Sequence, residues 1–193
     1  MVELVPEPHP ACLDLVRLFG RDAPLQVDLG CGDGSFLCEL AEQFPDKNFL
    51  GVERLTKRVE KVRRKAGKID NVRVLGTDTL FAVRHLLPEN SVETFYLLFP
   101  DPWPKRRHQQ RRIFTGELLD AVATALGQNG VLRVATDQLD YFHQMERLSR
   151  THPEFEVVDL DRVVLPLTKF ERKFLEQGLP IYRLTLRKTS PVK

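Results

Sequence analysis

One carboxylate, Asp101, stands between Pro100 and Pro102, and the only tryptophan of the chain, Trp103, follows it with Pro104 behind. Next comes Lys105-Arg106-Arg107-His108-Gln109-Gln110-Arg111-Arg112, a segment with five Lys or Arg and no acid. Proline fixes its own φ and donates no backbone hydrogen bond, and it biases the residue before it toward extended geometry. Three prolines at alternate positions therefore predict a stiff, extended, non-helical loop. The loop follows the apolar run Val92 to Phe99, which has the pattern of a buried strand. A rigid carboxylate at the C-terminal end of a central strand, beside dense positive charge, suits chemistry on a polyanion. Proline-rich turns also cap strands with no chemical role, and basic runs are often solvated faces, so the segment needs partners elsewhere in the chain.

The loop Gly30-Cys31-Gly32-Asp33-Gly34 supplies them, entered through Val27-Asp28-Leu29 and left through Ser35-Phe36. Glycine admits φ > 0 and lets a ligand approach the backbone, and open α/β sheets bind ligands at the C-terminal ends of their strands. The spacing is G-x-G-x-G, not the G-x-G-x-x-G of dinucleotide binders, and Asp28 and Asp33 are poor company for a pyrophosphate. Glu53 ends the next apolar run, where an acid can accept from both hydroxyls of a ribose. Asp78 comes just after the third run, where it can accept from an adenine amino group. Either acid alone reads equally well as a helix cap or a turn residue. With the glycine loop they form an acid-lined pocket for a nucleoside carrying a positive group, which points to S-adenosylmethionine.

The elements that position these residues alternate. Strands are predicted over Pro24 to Leu29, Asn48 to Glu53, Asn71 to Gly76, Val92 to Phe99, Val131 to Thr136, Phe155 to Leu160 and Ile181 to Arg187. Helices are predicted over Cys12 to Phe19, Ser35 to Phe44, Thr56 to Ala66, Thr79 to Leu86, Ile113 to Leu126, Leu139 to Arg150 and near Lys169 to Gln177, and a turn over residues 127–130. Alternation of this kind implies βαβ units around a mostly parallel sheet. The 193 residues suit a single α/β domain, residues 1–193, with residues 1–10 an irregular arm carrying Pro6, Pro8 and Pro10.

Composition excludes several classes. With 42% hydrophobic and 29% charged residues the chain is ordinary for a soluble globular protein, and no apolar run approaches the roughly 18 residues of a membrane span. The N-terminus lacks the features of a signal peptide. Cys12, Cys31 and Cys38 form no C-x-x-C pair, and the five histidines are scattered, so neither a disulfide framework nor a metal site is expected. The expected location is cytoplasmic. Net charge is only +2, yet residues 54–68 hold eight Lys or Arg against one acid, Glu60. That second basic block, taken by itself, reads as the solvated face of a helix. The first can be the electrostatic footprint of a nucleic-acid binder.

The combination of VDLGCGDGSF, GVER, LLFPDPWPKRRHQQRR, VATD and TKFE resembles the bacterial tRNA (guanine-N7-)-methyltransferases, class I S-adenosylmethionine-dependent enzymes that modify a guanosine in the tRNA variable loop. The resemblance runs from about Leu25 to the last strand. The glycine loop is shared by methyltransferases broadly; the PDPW block with its basic tail is far more specific. It implies a three-layer αβα sandwich with a mostly parallel, seven-stranded Rossmann-like sheet. It assigns Asp28, Gly30, Gly32, Gly34, Glu53, Asp78 and Asp101 to the cofactor and makes Asp101 the catalytic residue. Lys105, Asp137, Thr168, Lys169, Phe170 and Glu171 match substrate-binding positions. Asp28 stands where many members have Glu, and the N-terminal arm is short and Pro-rich where many carry a longer basic extension.

With tRNA as partner, Lys105, Arg106, Arg107, Arg111 and Arg112 would contact phosphates. His108 would stack or hydrogen-bond, or have no role. Trp103 would stack on a flipped base or pack the loop against the domain. Thr168 and Glu171 also read as a capping box, which is compatible with substrate contact. No membrane or metal partner is expected, and both a monomer and a homodimer fit the sequence. Two rival readings remain: a class I methyltransferase acting on a small molecule or protein, and a non-catalytic RNA-binding module with the same fold. The first leaves the basic block unexplained; the second leaves four acids without a purpose.

Overall fold

The computed structural model describes residues 12–159 and 164–189, so the predicted N-terminal arm and Leu160 lie outside the described residues. A short helix α1 (Leu15–Phe19) leads into five parallel strands: β1 (Leu25–Leu29), β2 (Asn48–Val52), β3 (Val72–Leu75), β4 (Val92–Leu98) and β5 (Leu126–Thr136). With β6 (Phe155–Val158) and β7 (Tyr182–Lys188) they form a seven-stranded sheet in the order β3-β2-β1-β4-β5-β7-β6. Strand β7 is antiparallel to both of its neighbours. Every residue of β1 and β2 is buried, as a central parallel strand with helices on both faces has no solvated side.

Helices α2 (Ser35–Gln43) and α3 (Thr56–Ala66) cover one face, packing Phe36, Leu37, Leu40, Val59 and Val62 on Phe49, Val72 and Tyr96. The other face carries the short α4 (Thr79–Phe81), a single π-turn over Ala82–Leu86, α5 (Gly116–Ala125) and α6 (Leu139–Thr151). There Val83, Leu86, Leu118, Leu119, Val122, Tyr141 and Met145 close over Val27, Phe95 and Leu132. A last helix, α7 (Lys169–Glu176), precedes β7. The three-layer αβα architecture expected from the sequence is therefore the one observed.

Three local expectations change. Helix α5 starts at Gly116, not Ile113, because the Thr115 hydroxyl accepts the Leu118 N–H at 3.2 Å and fixes the cap there. The turn predicted over residues 127–130 lies inside β5. Leu126 pairs with Val92 and Val131 with Thr94, so four residues bulge opposite Glu93, with Asn129 at φ 61°. The proline loop is not simply extended: Phe99 and Trp103 take φ of 52° and 42°. Each precedes a proline that disfavours the right-handed helical region, and a backbone that must turn at such a position uses the left-handed one, at about 1–3 kcal/mol per residue.

One close contact fixes the glycine loop against the sheet. A Cβ on Gly51 of β2 would sit 2.6 Å from Cys31 Sγ and 2.8 Å from Leu37 Cδ2. Gly51→Ala is expected to destabilise the fold by about 1–3 kcal/mol through overpacking, read as a lower midpoint in urea with an unchanged m-value. An unchanged midpoint would contradict this packing.

Candidate active site

The strand order reverses between β1 and β4, so the crevice of a doubly wound sheet opens there. Five acids line that edge. Asp78 follows β3, Glu53 follows β2, Asp28 is in β1, Asp101 follows β4 and Asp137 follows β5. Neighbouring strands lie about 4.8 Å apart, so this row spans roughly 20 Å.

The glycine loop forms the floor. Gly30, Gly32 and Gly34 have φ of 79°, 58° and 74°. Gly30 and Cys31 donate to the Val52 carbonyl at 2.8 and 3.0 Å, which ties the loop to β2. A Cβ on Gly34 would meet Val62 Cγ1 at 2.9 Å, whereas one on Gly30 or Gly32 would meet nothing within 4 Å. The loop is thus closed toward α3 and open above, the shape needed for a ligand laid on its backbone. Glu53 spans two elements: Oε2 accepts from Gly32 N at 3.1 Å and Oε1 from Leu55 N at 2.9 Å, with Arg58 3.6 Å away. Each carboxylate oxygen retains a second acceptor direction, as a ribose diol requires. Asp78 caps α4, its Oδ1 accepting from Phe81 N at 3.1 Å. The turn roles weighed for Glu53 and Asp78 are therefore real, and both carboxylates still stand at the strand ends. The residues fit an adenosyl group with a sulfonium tail.

Asp28 is buried beside Glu53, and burial, then the Glu53 charge, pushes its pKa up to about 7. Its proton is lost near pH 4 in the unfolded chain and near pH 7 in the folded one. Between those values the folded state binds the extra proton, so stability falls as pH rises through this window and levels off above it. The loss is on the order of a few kcal/mol. Asp28→Asn is expected to flatten this slope; parallel urea titrations of both proteins at pH 5 and pH 8, without cofactor, check it. Burial, followed by Asp28 and Glu53, also raises the Cys31 thiol well above its usual range, so Cys31 is no nucleophile.

The proline loop is braced from below. Arg112 was expected at an RNA phosphate, and the structure corrects this: its side chain is 2% exposed. It donates to the Pro102 carbonyl at 2.7 Å, Gln144 Oε1 at 2.7 Å and Asp140 Oδ2 at 2.5 Å, and lies over the Tyr141 ring at 4.5 Å. Trp103 is packed, with Arg111 over its ring at 5.0 Å and the His108 ring edge-on at 5.9 Å. Residues Arg106–Arg111 form a 3-10 helix that exposes Arg106, Arg107 and Arg111, with Lys105 exposed just before it. Asp101 is itself exposed at the tip.

Helix α7 joins both loops. Thr168 and Glu171 form a complete capping box, and both are buried. Glu171 also accepts from Arg183 at 3.0 Å, so these two side chains hold the helix start. Lys169 reaches Asp33 in the glycine loop, and Lys65 meets the same carboxylate at 2.8 Å. Partial burial pushes Asp33 up, but hydrogen bonds from Lys169, Lys65 and Ser35 outweigh it and hold the carboxyl well below its usual range. Phe170, half exposed, and Phe174 pack on Phe99, with ring centroids 6.1 and 5.5 Å from it. Sequence reasoning missed Phe99 and Phe174 as site neighbours; the i, i+4 spacing of Phe170 and Phe174 was the available signal. Asp137 follows β5, its Oδ2 accepting from Gln138 at 2.5 Å.

Two other features lie at the opposite, N-terminal edge of the strands. A cleft of about 740 Å³ is lined by Phe19, Leu25, Pro88 and Asn90. Asp120, His152 and Glu154 bring ligand-capable atoms within 4.8 Å of one another. Neither includes a strand-end acid. No described helix is long and apolar enough to cross a membrane.

Residues 22–184 match the family model described as putative methyltransferase. The tRNA (guanine-N(7)-)-methyltransferase of Halorhodospira halophila is 40% identical over 189 residues, covering 93% of this chain and 81% of that protein. The Thermotoga maritima protein of the same name is 36% identical over 192 residues, covering 96% of this chain and 61% of its own length. Among solved structures, the 16S rRNA methyltransferase KamB superposes with a TM-score of 0.68 at 17% identity over 98% of this chain and 100% of its own. The antibiotic-resistance methyltransferase Kmr does so at 0.64 and 19% identity, over 93% of each. These structural likenesses concern the fold; the sequence matches across most of the chain carry the family, and by them this chain belongs to the tRNA (guanine-N7-)-methyltransferases.

Proposed function

We propose that the protein transfers a methyl group from S-adenosylmethionine to N7 of a guanosine in the tRNA variable loop. The observation that carries this reading is one carboxylate, Asp101, on a braced loop between the strand-end acids and an exposed turn of cationic side chains. When bound, the cofactor supplies an electrophilic methyl on a sulfonium. Guanine N7 already has an in-plane lone pair, so no proton must leave before it attacks, and positioning supplies most of the rate.

Asp28, Glu53 and Asp78, with the backbone of Gly30, Gly32 and Gly34, would hold the cofactor. Asp101 would stabilise the positive charge that develops on the purine, a fixed charge needing no reorganisation. Asp137 accepts from the guanine amino edge. Lys105, Arg106, Arg107 and Arg111 hold phosphates, with Trp103 under Arg111 and His108 against Trp103. Lys169 and Phe170 meet the substrate at the start of α7, a position maintained by Thr168 and Glu171.

The test is incubation with methyl-labelled S-adenosylmethionine and unmodified tRNA, followed by nucleoside analysis. The expected product is labelled N7-methylguanosine; label appearing only in small molecules or protein would reject the reading.

A further inference from the structure

Of the basic block at residues 54–68, only Arg58 and Lys65 take part in the site described above. In the structure six of the block's eight cations fall into two rows. Helix α3 buries Val59, Val62 and Ala66 and exposes its cations apart from Arg63, which is partly buried. At 100° per residue, Lys57, Lys61 and Arg64 fall within an arc of about 60° and run about 10 Å along the helix axis, with Lys68 exposed two residues past its end. Arg58 and Lys65 fall on an inner row, turned to the site. Their charges are answered there: Arg58 lies 3.6 Å from Glu53, and Lys65 lies 2.8 Å from Asp33 and donates to Ser35 Oγ at 2.5 Å. The outer row has no such answer. Among the described residues Lys57, Lys61, Arg64 and Lys68 form no ion pair, and Glu60 is the only acid on the helix.

The location gives this surplus a direction. Helix α3 begins three residues after Glu53 and crosses from β2 to β3, on one side of the crevice. The Lys105–Arg111 turn leaves β4 on the other side. Two strand steps, about 10 Å, separate β2 from β4. A strand that turns one guanosine into the crevice must leave it in two directions, and a single basic turn covers one of them.

We propose that the outer row of α3, Lys57, Lys61, Arg64 and Lys68, is a second contact for the RNA backbone, on the opposite side of the crevice from the Lys105–Arg111 turn. The proposal rests on the reading of tRNA as substrate and extends it to a second surface. The row binds phosphates by charge alone and carries no sequence information. It contributes to affinity and its salt dependence, not to the chemical step.

The experiment replaces all four residues with alanine in the full chain (K57A/K61A/R64A/K68A). It measures affinity for an unmodified tRNA transcript across a salt series, affinity for S-adenosylmethionine, and kcat at saturating tRNA. Expected are at least a tenfold loss of tRNA affinity near 0.15 M salt and a salt slope shallower by about one for each phosphate no longer neutralised. Cofactor affinity and kcat at saturating tRNA should hold. The double variant K57Q/K61Q should show about half the slope change, which separates charge from any loss of fold. Unchanged affinity and slope, in a variant that still methylates tRNA, would overturn the second contact and leave the proposed function standing. A wild-type protein that binds no tRNA would refute the functional reading and this proposal together.

Discussion

Asp101→Asn is expected to slow methyl transfer by about a hundredfold to a thousandfold, the usual effect of removing one preorganised electrostatic group. The substitution keeps shape and hydrogen-bonding reach and removes only the charge. The loop it sits on is fixed independently, by Pro100, Pro102 and the Arg112 bond to the Pro102 carbonyl, so geometry should survive. Since N7 needs no deprotonation, the rate lost in Asp101→Asn should not be restored at higher pH, where hydroxide would relieve the loss of a general base. The two observations together distinguish charge stabilisation from general-base catalysis. Cofactor affinity, measured separately by calorimetry, divides the loss between binding and the chemical step. Turnover near the wild-type value in Asp101→Asn would remove Asp101 from the mechanism.

The second large effect is expected at Arg112. Arg112→Met keeps much of the side-chain volume and loses a guanidinium that serves a carbonyl, an amide and a carboxylate at once. The loss should destabilise the protein by about 2–4 kcal/mol, since hydrogen bonds from a charged group are worth about 1.5–3 kcal/mol each and partial rehydration offsets some of them. Asp140 is 56% exposed and returns to water cheaply, whereas the Pro102 carbonyl loses the bond that fixes the loop beside Asp101. Accordingly kcat should fall more than tenfold while tRNA affinity and its salt slope stay near wild type, measured below the melting temperature of the variant. A phosphate-binding Arg112 would give the reverse pattern: a shallower slope by about one, with kcat retained.

Arg111 and Arg112 also illustrate where sequence reasoning reaches its limit. Both belong to one cationic run, and nothing local distinguishes them. Their opposite fates depend on Trp103, which takes Arg111 outside, and on Asp140 and Gln144, which take Arg112 inside. The latter partners are 28 and 32 residues away and fixed only by the packing of α6. The Lys169–Asp33 pair spans 136 residues and was equally invisible. By contrast, the strand-end acids were legible because alternation of strand and helix places such residues on one edge of a parallel sheet. The Thr168–Glu171 capping box was legible because all of its atoms lie within four residues. The sheet and its acids follow from period and order, while the bracing of the loops depends on long-range contacts that no window of sequence contains.

The central claim concerns a single atom, guanine N7, and can be tested at that atom. A tRNA transcribed with 7-deazaguanosine in place of guanosine keeps its phosphates and Watson–Crick edges but has carbon at that position. The protein is expected to bind this tRNA with an affinity close to that for the ordinary transcript and to transfer no methyl group to it. Methyl transfer to the deaza transcript at a rate comparable to that for ordinary tRNA would contradict the account.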